Sequence, residues 1–233
     1  MRRTLAALTL LGASLTVASA ELQIGVGINL PGVSIGINLP SYPRMVRVPG
    51  YPVYYAPQLQ GNYFFYDSLY WVLEGDDWYA SSWYNGPWDR IHRERVPTYV
   101  LQIPVSYYRK PPPYFRGWTP YAAPRWGEHW GPQWQSNRPD WNRRDRRNPP
   151  VAAPLPIYQQ PYARERYPQR EQQQELHSRR YPYQPHDERV RDIVQERRAE
   201  QPRDDRKGRP DAPDRRERQG HGDRDNRGRD QQR

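Results

Sequence analysis

The sequence predicts an all-β protein: a small, aromatic-rich antiparallel meander, with a barrel-like form as one option, followed by a largely disordered C-terminal half. Three observations carry this. Of the 31 aromatic residues, 25 fall between Tyr42 and Trp134. Within that stretch branched and aromatic side chains alternate with period two, which places them on one face of a strand. Beyond it, residues 138–233 hold 43 charged side chains and only seven of Leu, Ile, Val or Phe. That composition buries too little apolar area to offset chain entropy.

Residues 1–20 read as a secretory signal. Arg2 and Arg3 form a positive start, and Leu5 to Val17 is an apolar run too short and too interrupted to span a bilayer. Ala18-Ser19-Ala20 is a small-residue cleavage site, so the mature chain is expected to begin at Glu21. The expected location is therefore periplasmic or secreted. There is no cysteine, which excludes disulfides, thiolate metal sites, Cys nucleophiles and a lipidated N-terminal Cys. The fold must hold by packing alone.

Residues 21–44 contain a repeat. Val26-Gly-Ile-Asn-Leu-Pro31 recurs as Ile35-Gly-Ile-Asn-Leu-Pro40, with Pro31-Gly32 as a turn signal between the halves. The alternation predicts a small hairpin with one apolar face. Two strands alone are marginal in water, so that face needs cover from the aromatic block, an envelope surface or another copy of the chain. The last option makes self-association one expectation.

Residues 45–137 form the expected aromatic β-domain. Tyr51, Val53 and Tyr55 alternate with Pro52 and Tyr54. Tyr63–Tyr66 is a second run, closed by Asp67-Ser68. Leu69, Trp71 and Leu73 face one way on the next, which ends at Glu74-Gly75-Asp76. Trp78 and Ala80 lie on a strand reaching Trp83. Asn85-Gly86 is a strong hairpin signal. Tyr99, Leu101, Ile103 and Val105 share a face of the last expected strand. Pro111-Pro112-Pro113 ends the sheet, since proline donates no ladder hydrogen bond. Trp126, Trp130 and Trp134 have helical spacing. Gly127, Gly131 and Pro132 argue instead for a non-helical wrap over the sheet. So small a domain is marginal, and its dense Trp and Tyr partly compensate. Several rings should stay partly exposed.

Residues 138–233 read as an Arg/Pro/Gln-rich disordered tail. Two short helices are possible there, near Gln169–Arg179 and Asp187–Glu200. In the second, Val190, Ile193 and Val194 share a face and Asp187 is a candidate cap. Neither is long enough to be stable in isolation. The net charge is +10, and 34 of the 36 basic residues are arginine. The excess lies mostly in the tail, with 25 basic against 18 acidic residues. Arginine pairs bidentately with phosphate and carboxylate, although codon usage in a GC-rich genome favours it equally.

Several blocks suggest a family. Tyr63-Phe-Phe-Tyr-Asp67, Trp78-Tyr-Ala-Ser-Ser-Trp-Tyr-Asn-Gly-Pro-Trp88, Pro111-Pro-Pro-Tyr-Phe-Arg-Gly-Trp118 and Arg125-Trp-Gly-Glu-His-Trp-Gly131 resemble those of uncharacterised exported proteobacterial proteins. The Gly-Ile-Asn-Leu-Pro lead-in and Tyr181-Pro-Tyr-Gln-Pro185 are similar too. The resemblance covers most of residues 24–186. It implies a Gram-negative envelope setting and carries no activity. The Tyr-x-Trp-Gly-x-Trp hexapeptide of related repeat proteins does not occur here.

The residues argue against an enzyme, a cofactor or a metal. His92, His129, His177, His186 and His221 form no His-x3-His or His-Glu-x2-His pattern. Glu74, Asp76 and Asp77 sit in an expected turn, where Asp and Gly serve the backbone. No Gly-x-Ser-x-Gly elbow exists. A transmembrane barrel needs more and longer strands. Binding is the better expectation. Trp71, Trp78, Trp83, Trp88, Trp118, Trp126, Trp130 and Trp134 are the candidates for stacking on glycans, with core packing as the bland alternative for each. The tail should attract anionic envelope polymers. Its interspersed acids weaken the field, and the expected compartment counts against nucleic acid. The leading expectation is a non-enzymatic exported envelope protein, of binding or structural type, tethered by its basic tail. The alternative is a carbohydrate- or peptidoglycan-binding protein using an exposed Trp/Tyr surface.

Overall fold

Turns and prolines cut the aromatic stretch into six short strands. A computed structural model of the chain describes residues 35–143 and 149–199. The expected signal, the first half of the repeat, residues 144–148 and residues 200–233 of the expected tail lie outside the described residues. The strands are β1 (Val46–Arg47), β2 (Tyr54–Tyr55), β3 (Asn62–Tyr66), β4 (Leu69–Glu74), β5 (Asp77–Ser81) and β6 (Asp89–Ile91). They form one open antiparallel sheet in sequential order. Four α-helices follow: α1 (Thr98–Leu101), α2 (Trp126–Asn137), α3 (Arg170–Arg180) and α4 (Glu188–Ala199). The described residues up to Val194 belong to one compact unit, and Gln195 begins a second.

The fold is therefore mixed α/β, which corrects the all-β expectation, and the sheet does not close into a barrel. The expected strand around Tyr99–Val105 is a single turn of helix, α1, followed by the 3-10 turn Val105–Tyr107. Pro97 and Pro104 precede these turns at φ −60 and −59. Proline is suited to a helix start and has no N–H for a ladder. The expected non-helical wrap is also corrected. Residues 126–130 and 132–137 are helical, and Gly131, with φ +87 and ψ 171, breaks the helix between them. Glycine takes that conformation freely, and proline is tolerated in the first turn that follows it.

The register places the central side chains. Phe64 opposes Trp71, which opposes Ala80; Phe65 opposes Tyr70, which opposes Ser81. The β3–β4 hairpin turns on Asp67 and Ser68, both at positive φ, +48 and +81. That matches the twist of adjacent strands. Every residue from Asn62 to Leu73 is buried, so β3 and β4 are covered on both faces.

The first face carries Phe64, Tyr66, Leu69, Trp71, Leu73, Trp78, Ala80 and Ile91. Val96, Val100, Leu101, Ile103, Phe115 and the α2 tryptophans pack on it. Val190 and Ile193 of α4 join the same cluster. The second face carries Tyr63, Phe65, Tyr70, Val72, Tyr84 and Trp88. Its cover comes from both ends of the chain. Leu39 is buried there, with Ile35 and Ile37 partly so, while Gly36, Asn38 and Pro40 face out. The predicted alternation is real, but this segment is not a strand. The aromatic block covers its apolar face.

The remaining cover comes from residues 149–194, and it corrects the expectation of a disordered C-terminal half. Ala153, Tyr158, Tyr167, Tyr181 and Tyr183 pack on the second cluster. Trp83 meets Tyr158, Tyr162 and Tyr167 edge-on, with centroids 5.6, 5.6 and 5.7 Å away. Its indole N–H donates to the Gln173 carbonyl at 3.0 Å. Counting only Leu, Ile, Val and Phe missed this, because here tyrosine does the burying. A tyrosine removes about 150–250 Å² from water, provided its hydroxyl finds a partner. Tyr181 donates to the Pro154 carbonyl at 2.6 Å and Tyr167 to the Gly86 carbonyl at 2.7 Å.

Candidate functional site

Seven of the eight candidate tryptophans belong to the core. Trp71, Trp78, Trp83 and Trp126 are fully enclosed, and Trp88, Trp130 and Trp134 are 8% exposed or less. Burial leaves these seven no open face for a ligand. Trp126 and Trp130 stack at 4.4 Å, and Trp130 meets Trp134 edge-on at 4.7 Å. Trp118 alone of the eight keeps partial exposure. A ninth tryptophan, Trp141, is also partly exposed. It fell outside the candidates because it stands alone, beyond the aromatic block.

Trp118 sits on an outer edge of the first cluster. Phe115 stacks on it at 4.5 Å, and the Arg125 guanidinium lies 5.6 Å from its ring centre. Nearby in sequence, Tyr121 is 87% exposed. Alongside, Tyr114 lies flat on His129, centroids 3.7 Å apart. His129 Nε2 is 2.8 Å from Asp76 Oδ1, which also accepts the Trp130 indole N–H at 3.0 Å. Tyr114 donates to the Gly75 carbonyl at 3.1 Å. Burial, reinforced by the Asp76 charge, pushes the Tyr114 hydroxyl well above its usual value. The β4–β5 turn thus docks α2 through a carboxylate, an imidazole and a phenol. His129 is held between the Asp76 carboxylate and the Tyr114 ring, and the contact reads as a structural clasp.

A second polar cluster joins the β3–β4 turn to the start of α4. Asp67 is 4% exposed. Its Oδ1 accepts from the Tyr183 hydroxyl at 2.7 Å and the His186 N–H at 3.1 Å. Its Oδ2 accepts from the Asp187 N–H at 2.7 Å. Asp187 accepts from the Tyr66 hydroxyl at 3.1 Å and, through Oδ1, caps α4 on the Arg189 N–H at 3.0 Å. Burial pushes the Asp187 carboxyl above its usual value, and the Asp67 charge adds to this. A cavity of about 170 Å³ opens here, lined by both aspartates, Tyr66, Tyr99, His186, Pro150, Val151 and Ala153. Nothing in the sequence linked Asp67, an apparent turn residue, to partners well over a hundred positions away.

Among the described residues, no group of three or more His, Asp or Glu is placed to hold a metal ion. No described helix is long and apolar enough to cross a membrane. Compared with family models, curated proteins and solved structures, the chain matches none.

Proposed function

We propose that this chain is a non-enzymatic exported protein of the cell envelope, of binding or structural type. One observation carries the reading: side chains are partitioned by chemistry across the whole described unit. Most aromatic residues from both halves of the chain turn inward, and most described arginines are exposed. Arg138, at 3% exposure, and Tyr121, at 87%, run against the pattern. The result is a stiff module with a basic exterior, suited to holding anionic polymers without a catalytic cleft. The N-terminal secretory pattern and the resemblance to exported proteobacterial proteins support the setting.

The tether is shorter than the sequence suggested. Residues 149–194 belong to the folded unit, so the basic segment to which this proposal assigns the tether is 200–233. That segment carries 11 basic and 9 acidic residues, a weak net field that ordinary salt screens. The test removes 200–233 and measures retention on outer-membrane material at low and high salt. Retention should fall at low salt, and the difference should vanish at high salt. Retention unchanged at both would sink the tether.

The second reading is carbohydrate recognition. The partial exposure of Trp118 and Trp141 favours it, since an indole face suits the C–H face of a pyranose.

A further inference from the structure

We infer that the groove bounded by Pro132, Gln135, Ser136, Pro139, Trp141 and Asn142 is a subsite for an uncharged glycan. The inference deepens the carbohydrate reading and rests on it. The groove encloses about 400 Å³, within the range of about 300–1,000 Å³ usual for small-ligand sites. Its lining combines one indole, two proline rings, two primary amides and one hydroxyl.

That set selects by exclusion. Among the described residues, the six that bound the groove carry no charge, so they offer a phosphate or carboxylate no counter-charge. Three of the six residues are polar, so a greasy ligand would strand their amides and hydroxyl. A sugar satisfies both demands. Its ring presents an apolar C–H face to an indole, and its hydroxyls both donate and accept. Gln135 and Asn142 each offer one carbonyl and one NH2 group, the matching pattern. Ser136 donates to the Pro132 carbonyl at 2.9 Å, which leaves its oxygen as an acceptor.

The groove is also built rigidly. Its far wall is the loop 138–142, held by three anchors. The buried Arg138 guanidinium donates to the carbonyls of Glu94 and Val96, at 3.2 Å for Val96. Asp140 lies between Arg138, at 3.5 Å, and Arg189, at 3.3 Å. The Gln102 amide donates to the Trp141 carbonyl at 2.9 Å. Trp141 also leans on Trp134, ring centres 5.7 Å apart. The opposite wall is the Gln135 side chain. A methyl group at Gly127 would stand 2.2 Å from Gln135 Oε1, so glycine there lets the Gln135 side chain lie back across α2. Fixing a half-exposed indole and its neighbouring amide in advance lowers the ordering cost of binding.

The test uses the full-length protein and two probes, β-1,4-linked N-acetylglucosamine tetramer and cellotetraose, followed by calorimetry and Trp fluorescence. The expected result is saturable binding of at least one probe. Trp141→Ala and Asn142→Ala should each weaken it tenfold or more, and Gly127→Ala several-fold. Trp118→Ala should leave it unchanged. If Trp141→Ala loses its native circular dichroism, Asn142→Ala, an exposed position, decides. Saturation by neither probe, or equal affinity in Trp141→Ala and Asn142→Ala, overturns the inference. So does binding of a proline-rich peptide in place of both sugars. Binding lost in Trp118→Ala and kept in Trp141→Ala overturns this subsite and leaves the wider carbohydrate reading standing.

Discussion

The Tyr70 hydroxyl donates to Gln159 Oε1 at 3.2 Å, joining the centre of the sheet to a residue 89 positions later. Gln159 is wholly buried. The same oxygen accepts the Tyr84 N–H at 3.2 Å. Its Nε2 donates to the Ser82 carbonyl at 2.9 Å. One amide thus satisfies two strand-side groups and a phenol.

Gln159→Leu keeps the approximate volume and strands these partners. Each buried group left unpaired costs about 1–3 kcal/mol, so the loss should be on the order of 3 kcal/mol. Urea denaturation measures it. Gln160→Leu, at an exposed neighbour, should change stability by less than about 0.5 kcal/mol.

The amides of His186 and Asp187 donate to a buried carboxylate. Their hydrogen exchange should be as slow as that of β3 and β4. Asp67→Ala removes the acceptor for both and for Tyr183. It should speed exchange throughout 183–190 before it affects β5. Fast exchange at 186 and 187 in the unaltered protein would refute the packing of this segment.

Two aspartates should bend the pH–stability curve in opposite senses. Burial raises the folded Asp187 value above the unfolded one. Its contribution is therefore fully present below the unfolded value and is lost as pH rises through the folded value. Burial also pulls Asp140 upward, but Arg189 and Arg138 outweigh it and the net shift is down. Its contribution is present above the unfolded value and is lost as pH falls through the folded one. Denaturation midpoints across the acid range should show Asp187→Asn removing a gain on acidification. Asp140→Asn should remove a loss at lower pH.

Trp71→Ala should cost about 3–5 kcal/mol, the usual range for deleting a buried aromatic ring. Trp118→Ala, at the outer edge, should cost about 1 kcal/mol or less. Similar losses for the two would contradict the division between core and edge.

The hairpins of β3, β4 and β5 were legible because alternation and turn residues agree there. Leu69, Trp71 and Leu73 do share a face, and Asp67-Ser68 does turn the chain. The helical face of Val190, Ile193 and Val194 was legible as well. What that face packs against was not. Periodicity reports which side of an element is apolar, but not what meets it. The Tyr158–Tyr183 segment was misjudged because its burying residues are also hydrogen-bonding ones, which a count of aliphatic side chains discards. Trp141 was overlooked for a related reason: a groove is made by elements meeting, and density along the chain cannot reveal it.

Because the sheet's second face is finished by residues 149–194, synthesis order matters. A nascent chain that has reached Asn137 has all six strands but lacks the tyrosine cover over Tyr63, Phe65, Tyr70 and Val72. Such a fragment, with that apolar face uncovered, should fold poorly on its own. Final collapse must wait until almost the whole described unit has left the ribosome. Under the export proposed above, a chain that stays unfolded until its synthesis is nearly complete would be easier to pass across a membrane.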